Sequence, residues 1–294
     1  MDRGSSNRVR TAEAILPSRE TIEGAGVHLR RAFGHGQVPR LDPFLLLDDF
    51  RSENPADYAA GFPWHPHRGI ETVTYMLDGI VEHEDSIGNR GVISSGDVQW
   101  MTSGSGIIHQ EMPKSRDGLM GGFQLWVNLP GSDKMMDPRY QEFKRARIPE
   151  IQTAAGVRVK VIAGEVAGTR GPVEDIVVEP EYLDVRLDPH AAFAHAVPRG
   201  HTAFAYALSG RGRFDPERGD EVDGENLVLF GDGDSIRIEA SERPLRFLFV
   251  SGKPIHEPVA WWGPIVMNTQ RELEVAIEEF QEGTFIKHEK RHGH

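Results

Sequence analysis

Residues 68–79 and 199–210 of this 294-residue chain, laid over one another, share an Arg-Gly start, a Tyr, a Leu and a closing Gly. Self-similarity over that distance means that one fold unit occurs twice, which narrows the possible architectures more than any local propensity does. The units are mostly β. Residues 71–77, 122–129, 157–162 and 245–250 alternate apolar and polar side chains between Gly, Asp and Pro turns, as half-buried strands of a sandwich or barrel do. The expected division is 1–145 and 146–294, with the boundary in the charged stretch 134–150. One helix is expected near the end, over 269–283. Leu273, Ala276, Ile277 and Phe280 recur there at helical spacing before a Gly stop, and the helix is expected to pack against a barrel or the neighbouring domain.

Two short motifs carry chemistry. His65-Pro66-His67 and His109-Gln110-Glu111 each place two donors at i and i+2 of a strand, so each pair projects from one face. Either motif alone has a bland reading, because a chain with 13 histidines produces a His-x-His by chance. Together, behind the turn Gly104-Ser105-Gly106, they suggest convergence on one ion. Three neutral imidazoles and a carboxylate suit one divalent iron, manganese, cobalt, nickel, copper or zinc, and suit calcium or magnesium poorly.

In the first repeat register His65 falls on Ala196 and His67 on Pro198. Laying Gly96-Asp97 over Gly233-Asp234 without gaps puts His109 on Arg246 and Glu111 on Leu248. The second copy is therefore expected to hold no metal. His190, His195 and His201 are never two apart, and surface or packing roles are expected for them. Gly104-Ser105-Gly106 is not followed by Gly-Lys-Ser/Thr, and no Gly-x-Ser-x-Gly surrounds a serine, so neither a phosphate loop nor a serine hydrolase is supported.

Composition closes other routes. The absence of cysteine excludes disulfides, thiolate nucleophiles and iron–sulfur clusters. A formal charge of −12 disfavours direct nucleic-acid binding. No apolar run approaches the ~18 residues of a membrane span, so no membrane partner is expected. The start Met1-Asp2-Arg3-Gly4-Ser5-Ser6 is polar and unlike a secretory signal, so a cytoplasmic protein is expected. The tail from His288 to His294 is expected to be solvated rather than a metal site.

Residues 40–50 (RLDPFLLLDDF), 65–75 (HPHRGIETVTY), 96–113 (GDVQWMTSGSGIIHQEMP), 125–130 (LWVNLP) and 263–269 (GPIVMNT) together resemble the pirin family of the cupin superfamily. The resemblance runs from about residue 24 to about residue 285. It implies a bicupin, two tandem antiparallel jelly-roll-like β-barrels with a C-terminal helix, of which only the first binds metal. It further implies a single metal, commonly Fe(II), on His65, His67, His109 and Glu111. Glu71, a ligand in many other cupins, is then expected to hydrogen-bond the metal ligands instead. Ala59 stands where the first cupin motif normally has Gly.

The resemblance also implies an activity. Several pirin-like proteins, like the related quercetinases, are oxidoreductases that cleave flavonols with O2, opening the heterocycle of quercetin at C2–C3 and releasing carbon monoxide. On this reading Glu111 is the catalytic general base, and Phe62, Trp64, Trp100, Phe123 and Trp126 line a flat aromatic pocket, against simple core packing for any one of them. Two alternatives stand beside this dioxygenase. One is a non-catalytic, iron-dependent regulator that binds a transcription factor or metabolic enzyme. The other is an oxygenase of some other enediol-like metabolite.

Overall fold

A computed structural model describes residues 7–37, 40–114, 118–215 and 217–288; the Met1–Ser6 start and the tail beyond His288 lie outside the described residues. The protein is mostly β, and the chain divides into two compact units. The unit carrying both metal motifs has a seven-stranded antiparallel sheet in the order Arg139–Phe143, Val98–Thr102, Ile70–Asp78, Gly121–Asn128, Phe44–Asp49, Val27–Phe33, Arg19–Glu23. Its second sheet has four strands, in the order Phe62–His67, Ile107–Pro113, Ile80–Asp85, Arg90–Ser94. Side chains from the two sheets meet between them, as in a double-sheet jelly roll.

The other unit repeats this plan strand for strand. Its seven-stranded sheet runs Ala12–Pro17, Asn226–Phe230, Thr202–Ser209, Leu245–Gly252, Glu181–Leu187, Val157–Ala163, Glu150–Ala154, and its four-stranded sheet runs Ala192–Ala196, Ser235–Ala240, Arg211–Arg213, Glu221–Asp223. The repeat seen in sequence is thus Ile70–Asp78 matched to Thr202–Ser209. The second register needs correction. Gly96-Asp97 precedes Val98–Thr102, whereas Gly233-Asp234 precedes Ser235–Ala240, one strand further along. Arg246 and Leu248 lie on Leu245–Gly252, the counterpart of Gly121–Asn128. The counterpart of the His109 strand is Ser235–Ala240, which has no histidine.

The units are also apportioned differently from the division at 145/146. Among the described residues, 148–254 cluster with 7–18, and 19–147 with 255–288. Strand Ala12–Pro17 pairs with Asn226–Phe230, Ile15 opposite Val228, at the edge that Arg139–Phe143 covers in the metal-motif unit. The helix Gln270–Gln281 belongs to the metal-motif unit. It begins with a capping box in which Thr269 accepts from the Glu272 N–H and the Glu272 carboxylate accepts from the Thr269 N–H. Leu273 and Ala276 pack with Ile265, Met267 and Phe285 against Ile108, the neighbour of His109. Phe280 is partly exposed and lies edge-on to Phe285.

Candidate metal centre

Sheet geometry brings the two motifs together. Phe62–His67 is an edge strand, where the missing N–H of Pro66 is tolerated. It pairs antiparallel with Ile107–Pro113, so that His109 faces His65 and Ile107 faces His67. On its other side Ile107–Pro113 pairs with Ile80–Asp85, placing His109 opposite Asp85 and Glu111 opposite His83. Ile107, His109 and Glu111 are buried in alternation with half-buried neighbours, so both donors point inward. The turn before this strand needs glycine. Gly104 has φ +46°, and a Cβ there would lie 2.2 Å from the Met136 carbonyl oxygen.

The hydrogen bonds assign the imidazole tautomers. His65 Nδ1 lies 2.8 Å from the Pro63 carbonyl and His67 Nδ1 3.3 Å from that of Pro264, so each Nδ1–H donates outward and each Nε2 carries a lone pair. These two Nε2 atoms are 3.1 Å apart, and the Nε2 of His109 is buried with no partner. Lone pairs converging this closely repel unless a cation lies among them, so the donor set fits a divalent metal. Burial lowers all three rings below the usual imidazole range, His67 and His109 well below it, which keeps them neutral and ready to ligate.

His65, His67 and His109 form one group whose donor atoms lie within 4.8 Å of one another. His83, His109 and Glu111 form a second, sharing His109. Glu111 accepts hydrogen bonds from Thr74 Oγ1 at 3.1 Å and from the Gln124 amide at 3.0 Å, while Gln124 in turn accepts from the Trp126 indole at 3.2 Å. His83 was not among the candidates read from sequence. Glu71 does not do what was expected of it. It sits on the sheet face opposite Thr74, fully buried, and accepts from Thr102 Oγ1 at 2.7 Å rather than bonding a histidine of the centre.

A cavity of about 630 Å³ opens onto His65 and His67, a volume within the usual range for small-molecule sites. Of the expected aromatic residues, Phe62, Trp64 and Trp126 line it, with Trp261 added from the C-terminal hairpin. Trp126 lies edge-on to His67 at 5.1 Å, and Trp261 lies 5.9 Å from Trp126. Trp100 and Phe123 do not line it. Their strand neighbours Gln99 and Gln124 reach the His83 and Glu111 side chains, so alternation sends Trp100 and Phe123 to the opposite face, where both are fully buried.

Arg31 and Asp48 also line the cavity, joined by two hydrogen bonds of 2.8 Å. Burial pushes Asp48 up from 3.8 to about 6 against the pull of Arg31. The native state therefore takes this proton more readily than the unfolded chain does. The group's contribution to stability is present in full below pH 3.8 and is lost as pH rises through about 6. Urea unfolding of the protein and of Asp48→Asn between pH 4 and 7 should show native stability falling relative to the variant by up to roughly 3 kcal/mol as pH rises. The opposite slope would mean that Arg31 controls the pair.

The sequence profile described as Pirin matches residues 26–127, and the one described as Pirin C-terminal cupin domain matches residues 182–286. The chain belongs to the pirin family. It is 45% identical over 278 residues to a pirin-like protein of Caulobacter vibrioides, covering 94% of this chain and 99% of that one. It is 42% identical over 281 residues to the pirin of Homo sapiens, covering 95% and 93%. Among solved structures, one titled quercetin 2,3-dioxygenase from Acinetobacter baumannii superposes with a TM-score of 0.87 at 33% identity, covering 95% of this chain and 99% of that one.

Within this pirin-family fold the interior of the second unit is apolar. Phe193, Phe214, Ile236, Ile238 and Phe247 fill its interior, and no metal-like group occurs there among the described residues. His195 bonds Glu181 at 2.8 Å and His190 faces Glu242 at 3.4 Å. The Ala59 departure is also accounted for. Ala59 caps a short helix with right-handed backbone, and the close approach to the His109 strand is made by Gly61, at φ +60°, where a Cβ would lie 3.0 Å from the Glu111 carbonyl oxygen.

Proposed function

We propose that this protein is a metal-dependent dioxygenase of flavonol-type substrates, with one divalent ion, iron by preference, held by His65, His67, His109 and Glu111. The observation that carries this reading is the aromatic-walled cavity opening onto converging, unprotonated imidazole nitrogens. The name of the Acinetobacter baumannii structural relative supports the substrate class. When bound, the ion supplies a Lewis-acidic, redox-capable centre for an enolic oxygen and O2.

The side chains set the rest. Phe62, Trp126 and Trp261 offer flat faces to a planar ring system, and the exposed Trp64 stands at the cavity mouth. Glu111 is the base for the substrate hydroxyl proton. Its two oxygens accept from Thr74 and Gln124, and Gln124 itself lines the cavity and links the carboxylate to it. Burial of the three imidazoles keeps them from competing for the proton.

Oxygen consumption by iron-loaded protein with quercetin, measured beside His109→Ala, tests the proposal. Turnover in the first and none in the second is expected. An absence of turnover with iron, manganese, cobalt, nickel, copper and zinc would sink the catalytic reading in favour of a partner-binding regulator.

A further inference from the structure

Behind His109 lies a second buried pair that the proposed chemistry does not use. His83 and Asp85 are both buried, and His83 Nε2 is 3.2 Å from Asp85 Oδ2. Asp85 accepts from every neighbour it bonds through its side chain: the Ile87 N–H at 3.1 Å, the Asn89 N–H at 2.8 Å, the Asn89 amide at 2.8 Å and His83. An acceptor-only carboxyl is an ionised one. It fixes the proton of His83 on Nε2, leaving Nδ1 as an acceptor. Two groups converge on that lone pair, the Gln99 amide at 2.9 Å and His109 Nδ1 at 3.3 Å. His109 therefore carries its own proton on Nδ1, and its unpartnered Nε2 is the metal-facing atom.

We propose that His83 and Asp85 are positioning residues for the metal ligand His109, forming a carboxylate–imidazole–imidazole chain that locks its tautomer and increases its donor strength. The inference rests on His109 being a ligand, but not on any substrate. Charge runs inward along the chain: anionic Asp85 polarises His83, which pulls on the Nδ1 proton of His109 and enriches Nε2. A more basic ligand favours the higher charge state of a redox metal. The chain thus tunes the centre from a site that no substrate touches.

A plain structural role competes with this. Asp85 also closes the turn between Ile80–Asp85 and Arg90–Ser94, with the Gly88 N–H bonded to its carbonyl at 3.1 Å, so its loss would loosen the hairpin in any case. The test must read protons and charge rather than stability alone. In zinc-loaded protein labelled with 15N-histidine, NMR should find His83 protonated on Nε2 only and His109 on Nδ1. A proton on His83 Nδ1, with the Gln99 amide turned to accept it, would overturn the proposal.

Asp85→Asn keeps the size of the side chain and removes the charge. Zinc affinity is expected to fall by about 10–100-fold. The Fe(III)-over-Fe(II) preference should fall about tenfold, an upward midpoint shift of ~59 mV for one electron. A lower melting temperature with unchanged tautomers and midpoint would assign Asp85 to the turn alone and end the proposal. If the unaltered protein binds no zinc at one equivalent, the metal reading itself fails, and this result is distinct from zinc bound with the wrong tautomers.

Discussion

His109→Ala is expected to abolish tight binding of one divalent ion, whereas His195→Ala should leave the stoichiometry at one. The contrast follows from what surrounds each ring. His109 is fully buried, with Nε2 unpartnered and His65 and His67 beside it at ring-centroid distances of 4.4 and 5.0 Å. His195 is committed to Glu181 at 2.8 Å and stacks on Phe193, in a unit whose interior is apolar. Removing His109 also breaks both donor groups, because it is the residue they share. The loss of affinity should exceed the roughly 10–100-fold typical of losing an outer hydrogen bond. Metal analysis after dialysis, together with calorimetric titration of zinc, would check it. Equal loss from both variants would overturn the single-site arrangement.

The fold and the centre were legible in sequence to different depths. Alternation identified the strands through 71–77, 122–129, 157–162 and 245–250, and the repeat identified two like units, because both signals are local or self-referential. Partner choice is neither. Nothing in residues 12–17 says that they pair with a strand more than two hundred residues away, since alternation marks a strand without naming its neighbour. Facing is similarly hidden. Trp100 and Phe123 flank the motifs in sequence, and only the inward reach of Gln99 and Gln124 shows that these aromatic rings point away. His83 is legible by the same rule that marks the two metal motifs. His83-Glu84-Asp85 has the same i, i+2 spacing as the two metal motifs and lies on a strand, so the pattern that found them also covers it.

Arg68→Met should destabilise the protein strongly, because this side chain ties three parts of one unit together. Arg68 follows His67 directly, yet it is almost wholly buried. Its Nε donates to the Ser105 carbonyl at 2.7 Å in the turn before His109, and Nη2 donates to the Phe285 carbonyl at 2.8 Å. Nη1 pairs with Glu279 of the C-terminal helix at 2.8 Å, and the guanidinium lies 4.2 Å from the Phe285 ring centroid. Methionine keeps most of the volume but leaves two buried carbonyls without their donor and Glu279 paired with Lys287 alone, at 2.7 Å. Each buried carbonyl left without a donor costs roughly 1–3 kcal/mol. For a unit of this size that lowers the melting temperature by about 10 °C. The damage should be directional. The C-terminal segment supplies Trp261 to the cavity wall and the Pro264 carbonyl to His67 Nδ1, so its release loosens both pocket and ligand. Limited proteolysis of the variant should cut within residues 255–288 before the barrel strands, and zinc affinity should fall with it. Equal melting temperatures for Arg68→Met and the unaltered protein would show that the C-terminal segment is held by Leu273, Ala276 and Phe285 alone.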